Sequence, residues 1–217
     1  MAVTYNFMKV LLFSTIVFLL VSCGRQFHFT SSKEAESDTS YIYTLPYPKG
    51  KTLLLVQGYN SSFSHRGRLG LDFKMKSGSP VTAARDGVVV GIQQNFSKGW
   101  VSKKYYHKAN YVIVRHSDGT QAYYGHLHHN GVAVAVGDTV HIGQVLAYSG
   151  STGYSLFPHL HFMVWQPAAT GRKQVPTRFR TPKGNQYLRP GHWYTPVRPD
   201  SLSQKLITGI GNKGSEF

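Results

Sequence analysis

The stretch Asn110 to Leu127, NYVIVRHSDGTQAYYGHL, decides the fold class of this chain. Its first half carries the β-branched run Val112, Ile113 and Val114, and its second half the pair Tyr123-Tyr124. Such residues favour a pleated strand, and both runs are too short for a helix of ordinary length. Between them stands Asp118-Gly119, the dipeptide favoured where a two-residue hairpin needs positive φ. The reading is an antiparallel hairpin.

The same texture extends in both directions. TLLLVQ, PVTAA, GVVVGIQQ, GVAVAVGDTV, QVLAYSG and HLHFMVWQ are short apolar runs punctuated by glycine. Together they predict a mostly β domain of short antiparallel strands over residues 49–166. The segment Phe96 to Ala109, FSKGWVSKKYYHKA, reads as a basic, aromatic insertion between two strands. It is read either as a groove wall that meets substrate or as a solvated hairpin tip. Residues 167–217 are rich in Pro, Arg and Gly without clear periodicity and read as a basic C-terminal extension.

The first residues have another character. Lys9 precedes the apolar run Val10 to Ser22, long enough for the core of a signal peptide but short for a membrane span of about 20 residues. The run ends in Leu20-Val21-Ser22-Cys23, and Cys23 is the only cysteine. This resembles the bacterial lipobox, which implies a signal peptide over residues 1–22 and a lipid on Cys23; the alternative is an ordinary signal peptide with a chance cysteine. Residues 23–48 are expected to form the lipidated start and a flexible tether. The expected location is the bacterial cell envelope, on the outer membrane if the source has two, since Gly24 rather than Asp follows the cysteine. A single cysteine also excludes an internal disulfide.

Lys and Arg number 24 against nine acids, a formal charge of +15. Such a balance favours polyanionic surroundings. Export makes lipid headgroups, wall polymers and peptidoglycan carboxylates the expected partners, and nucleic acid is not expected.

Elimination narrows the chemistry. Glutamate occurs only at Glu34, Glu36 and Glu216, outside the β region, so no HExxH helix exists. Asp86, Asp118 and Asp138 sit beside glycines in turn-like pairs, and a two-carboxylate glycosidase is poorly supplied. Asp72 lies between Leu71 and Phe73 in an apolar strand, where a carboxylate needs a partner. His159 and His161 are two apart, so on a strand they share a face. Two imidazoles and an aspartate converging in a β domain would suit a tetrahedral zinc with one open position; in a chain of 11 histidines the pair also arises by coincidence.

The ordered blocks SHRGRLGLDF, SGSPVTAARDGVVV, YYGHL and VGDTVHIGQVLAYSGSTGYSLFPHLHF resemble those of lysostaphin-type, LytM-like zinc metallopeptidases, from about Tyr59 to Gln166. The resemblance implies a surface groove carrying one zinc, held by His65, Asp72 and His161, with His126 and His159 as catalytic non-ligands. It implies a zinc endopeptidase that cuts stem-peptide or crossbridge bonds of peptidoglycan. The alternative is a catalytically inactive LytM-like binding module that regulates other cell-wall hydrolases. The first block departs from the usual His-x-x-x-Asp by its longer spacing, which is similar to that of zinc D-alanyl-D-alanine peptidases; those need a Glu-x-x-His that this chain lacks. His128 and His129 follow His126 and are expected on a loop. Tyr59 stands where some members place a tyrosine near the oxyanion.

Overall fold

The computed structural model describes residues 42–198. The leader, Cys23 and most of the tether lie outside the described residues. Fifteen strands are formed: β1 (Ile42–Tyr43), β2 (Leu53–Gln57), β3 (Leu71–Lys74), β4 (Pro80–Thr82), β5 (Gly87–Gln93), β6 (Tyr111–Arg115), β7 (Gln121–Gly125) and β8 (Leu127–Val132). They continue with β9 (Thr139–Val140), β10 (Val145–Ser149), β11 (His159–Ala168), β12 (Gly171–Gln174), β13 (Arg178–Thr181), β14 (Gly184–Gln186) and β15 (Trp193–Tyr194). The single helical element among the described residues is a 3-10 turn at Lys103–Tyr105. The expected antiparallel β class is what the chain adopts.

The main sheet runs β15-β2-β3-β11-β7-β6-β5-β9, with β12 also on β11. Its centre places β11 between β3 and β7, both antiparallel, so that His161 pairs with Asp72 on one side and Gly125 on the other. Because side chains alternate along a strand, the two faces separate cleanly here. Leu71, Phe73, Val112, Val114, Ala122, Tyr124, Leu160, Phe162 and Val164 are buried on the core face. Asp72, His159 and His161 point the other way. The sheet β4-β10-β8 supplies Val81, Ala147 and Leu127 to the same core.

Four expectations need correction. Residues 42–48 are not tether: Tyr43, Leu45 and Tyr47 are fully buried, and the Tyr47 hydroxyl donates to the Tyr194 carbonyl at 2.8 Å. Nor is the region after Gln166 a mere extension. β13 pairs in parallel with β1, and Val175, Phe179, Leu188 and Tyr194 belong to the core. The β6–β7 connection is wider than two residues, since Arg115 pairs with Gln121 and His116 N–H bonds the Thr120 carbonyl at 2.8 Å. Only Gly119 takes positive φ, at 81°, while the Asp118 carboxylate accepts the Thr120 N–H at 3.0 Å. His128 and His129 lie on β8, where both are exposed.

Candidate metal and catalytic centre

Asp72 is the buried anchor of the site, with 2% of its surface exposed. Its Oδ2 stands 3.3 Å from His65 Nε2 and accepts a hydrogen bond from Gln57 Nε2 at 2.8 Å. Its Oδ1 lies 2.7 Å from His161 Nδ1 and 3.7 Å from His159 Nε2. Burial acts to raise the Asp72 pKa, but the charge and hydrogen bonds of His161 and the hydrogen bond of His65 hold it well below the usual carboxylate range.

The longer spacing between His65 and Asp72 does no harm to this convergence. The added residues are taken up in a turn in which Gly67 has φ 66°, Arg68 N–H donates to the His65 carbonyl at 2.9 Å, and Asn60 N–H to the Arg68 carbonyl at 3.0 Å. Gly70 then passes close against both imidazoles. A Cβ there would stand 2.6 Å from His161 Cε1 and 3.0 Å from His65 Cε1, so only glycine fits without moving them.

Of the remaining histidines, His159 shares β11 with His161 and His126 comes from another element. His126 follows Gly125 at the end of β7 with a left-handed backbone, φ 60°, a conformation uncommon outside glycine. The bend turns its ring onto His159, with centroids 4.6 Å apart, and to 5.7 Å from His161. Desolvation, reinforced by the neighbouring imidazoles, pushes the pKa of His126 down to about 3. Burial also lowers that of His159, against the attraction of Asp72. Burial acts to lower that of His65, but the hydrogen bond and charge of Asp72 raise it overall.

Three of these rings are oriented alike. His65 Nδ1 meets the Gly58 carbonyl at 3.1 Å, His126 Nδ1 the Thr152 carbonyl at 2.7 Å, and His159 Nδ1 the Phe157 carbonyl at 2.8 Å. A carbonyl only accepts, so each Nδ1 carries the proton and each Nε2 turns a lone pair outward. The His65 lone pair therefore faces a buried carboxylate oxygen at 3.3 Å. Two acceptors opposed at that distance require a cation between them, either a proton or a metal. For bonds of about 2.0–2.2 Å to a tetrahedral zinc, neighbouring donors stand roughly 3.3–3.5 Å apart. One donor atom each from His65, Asp72 and His161 falls within 4.8 Å of the others. Hard and borderline donors in this number suit zinc, and the residues fit the metal.

The sequence reading missed the groups that hold this arrangement. Thr152 fixes His126 through its carbonyl and Ser155 lies 3.4 Å from His159 Nδ1. Tyr123 leans over Gly125, its hydroxyl 3.0 Å from the point a Cβ would occupy, and stands edge-on to His161 at 6.1 Å. Glycine inside a strand often marks such a close approach, which was the available signal. Tyr59, by contrast, is fastened elsewhere: its hydroxyl accepts the Thr177 N–H at 2.9 Å and lies 2.8 Å from Thr177 Oγ1.

This chain belongs to peptidase family M23, whose profile matches residues 66–176. It is 37% identical over 117 residues to the glycyl-glycine endopeptidase ALE-1 of Staphylococcus capitis, covering 54% of this chain and 26% of that protein. It is 39% identical over 93 residues to lysostaphin of Staphylococcus simulans, covering 43% of this chain and 17% of that one. The chain thus spans 26% and 17% of these two relatives' lengths. The solved catalytic domain of the Staphylococcus simulans lysostaphin is 30% identical, with a TM-score of 0.41 over 57% of this chain and 87% of that one.

Proposed function

We propose that this protein is a zinc-dependent endopeptidase that hydrolyses peptide bonds in bacterial peptidoglycan for cell-wall remodelling, working from the cell envelope. The observation that carries this reading is the convergence of five side chains from four segments of the chain, the turn before β3, β3 itself, the end of β7 and β11. His65, Asp72 and His161 would hold one zinc, and His126 and His159 would act on the substrate beside it. The names of the similar proteins point to the same class of reaction.

Zinc, when bound, supplies Lewis acidity that polarises a scissile carbonyl and makes water easier to deprotonate. The chain's own groups supply the rest. His126 and His159 each present an Nε2 lone pair, because their Nδ1 protons are given to the Thr152 and Phe157 carbonyls. Such a group can take a proton from the attacking water and later return it to the leaving amine. Imidazole here stands in for the glutamate that the β region lacks. Asp72, kept ionised by its histidine partners, balances the charge of the metal and orients His161.

The test is a set of four variants read for both metal and cleavage. The wild-type protein should carry about one zinc per chain. His126→Ala and His159→Ala should retain zinc while losing roughly 10²- to 10⁴-fold in peptidoglycan cleavage, and His161→Ala should lose both. His128→Ala, an exposed neighbour, should change neither. Loss of zinc in His128→Ala with retention in His161→Ala would show that the centre has been assigned to the wrong pair.

A further inference from the structure

The connection from β5 to β6, Gln94–Asn110, is much longer than a hairpin requires, and it is held firmly at both ends. Asn110 is fully buried; its side-chain amide donates to the Phe96 and His128 carbonyls at 2.7 and 3.2 Å and accepts the Phe96 N–H at 3.0 Å. Further out, Gly99 bridges Gly153, Trp100 N–H donates to the Gly153 carbonyl at 3.0 Å and Gly153 N–H to that of Lys98 at 3.2 Å. Tyr106 packs on Tyr154 with ring centroids 4.6 Å apart. The segment that receives this arm, Gly150–Phe157, is the one whose Thr152 and Phe157 carbonyls orient His126 and His159. The arm is therefore a fixed continuation of the wall of the site.

A cavity of about 300 Å³ opens on the arm, walled by Phe96 and Tyr105 and lined by Lys98, Lys104 and Lys108. No carboxylate lines it. Each of the four aspartates among the described residues is engaged elsewhere. Asp72 belongs to the site, Asp86 accepts the Ile142 N–H at 2.6 Å, Asp118 pairs with Arg85 at 2.5 Å and Asp138 accepts the Ala135 N–H at 2.8 Å. Lys104 Nζ lies 5.0 Å from the centroid of the Tyr105 ring. The three lysines concentrate positive charge at the cavity, which favours an anionic ligand.

We propose that this cavity receives a free carboxylate of an acidic stem peptide whose chain continues along the Gly150–Phe157 wall into the metal centre, an assignment that rests on the peptidase reading above. The ligand is an anionic peptide because the cavity combines cations with aromatic walls and its arm is hydrogen-bonded to the segment whose carbonyls orient His126 and His159. The arm then sets substrate preference: stem peptides with free carboxylates bind, and amidated ones bind less well.

The test uses the full chain loaded with zinc and two soluble crosslinked stem-peptide dimers, identical except that one has its free side carboxylates amidated. The triple variant Lys98→Gln, Lys104→Gln, Lys108→Gln should raise KM for the acidic dimer roughly ten-fold with kcat retained and leave the amidated dimer unchanged. A control triple, Lys49→Gln, Lys51→Gln, Lys183→Gln, removes the same charge away from the cavity and should keep the wild-type preference. Equal losses for the two dimers, equal effects of the two triples, or inhibition of wild type by polyglycerol phosphate without any preference between the dimers would overturn the assignment. Should the wild-type chain cleave neither dimer, the peptidase reading fails, and calorimetric binding of the intact dimers decides the cavity by itself. Acid-selective binding lost only in the arm triple supports the carboxylate site, and equal binding of both dimers refutes it.

Discussion

Gly70→Ala is the smallest change that should separate the metal centre from the fold. The added Cβ would meet His161 Cε1 at 2.6 Å and His65 Cε1 and Nε2 at 3.0 and 3.1 Å, where ordinary contacts are about 3.5–4.0 Å. To restore contact distance, the rings of two proposed ligands must retreat by roughly half an ångström to an ångström. The His65 ring is buried and tied to the Gly58 carbonyl, so the strain falls on the donor geometry and not on an open side. Gly70 does not occupy a left-handed backbone, and alanine there restricts the unfolded chain, which offsets about 0.4–1 kcal/mol of the overpacking cost of about 1–3 kcal/mol. The net loss of stability is therefore between about 0 and about 2.6 kcal/mol. A misplacement near 1 Å, however, costs on the order of 10²-fold in turnover, and zinc affinity should fall on the order of 10- to 100-fold. Competition with a chromophoric chelator measures the affinity, and thermal unfolding in excess chelator measures the fold without the metal. Wild-type zinc affinity in a folded Gly70→Ala protein would refute the claim that this glycine sets the ligand positions.

Three further outcomes follow from other parts of the molecule. His116 is buried, gives its Nδ1 proton to the Asp86 carbonyl at 2.7 Å and leaves Nε2 without a hydrogen-bond partner. Burial, helped by the charge of Arg85 and opposed by the Asp86 carbonyl, Asp118 and the Asp86 carboxylate, depresses its pKa. As pH falls through about 6.5 the unfolded chain takes up a proton that the folded chain refuses, so stability is lost toward acid. In His116→Leu the deficit measured at pH 8 by urea unfolding should narrow toward pH 5, and a constant gap would exclude this histidine as the cause. Gly99→Ala should free the arm, because a Cβ there would collide with the Ser151 carbonyl; hydrogen exchange should accelerate at Trp100 N–H while β11 stays protected. Cys23→Ser should move the protein from the membrane to the soluble fraction, and unchanged membrane association would count against the lipid anchor.

What could be read from the sequence depended on how far each feature is encoded locally. The His159-x-His161 pair declares a shared face by strand period alone, and the structure places Asp72 directly opposite His161. The β class was legible because β5, β6, β7 and β11 each carry a run of β-branched or aromatic residues long enough to show. The segments that escaped have the opposite character. β13 has one large apolar residue, Phe179, between Arg178 and Arg180 and β15 is only two residues long, so both are too short to show a period, yet each contributes to a core that closes only in three dimensions. Tyr43, Leu45 and Tyr47 alternate as a buried strand should, but they abut a polar run, which made a tether the natural reading. β8 was hidden for a related reason: in LHHNGV only the end residues Leu127 and Val132 are apolar, and between them the strand is held by pairing with β10 and by the Asn110 amide.

The same contrast explains why the proposed ligands were easier to pick out than their supports. Metal donors must be His, Cys or carboxylate, so in a β region with four aspartates and no glutamate the choice is small from the start. Supports act through backbone carbonyls, as Gly58, Thr152 and Phe157 do here, and a carbonyl leaves no trace in residue type. The sequence shows such a support only where its position excludes a side chain. Gly70 between two imidazoles and Gly125 beneath the Tyr123 ring are both of this kind, and each is a glycine within two residues of a site histidine or aspartate. Their absent Cβ atoms define the shape of the centre as firmly as the donors define its chemistry, because the space they leave is filled at once by a ring that must not move.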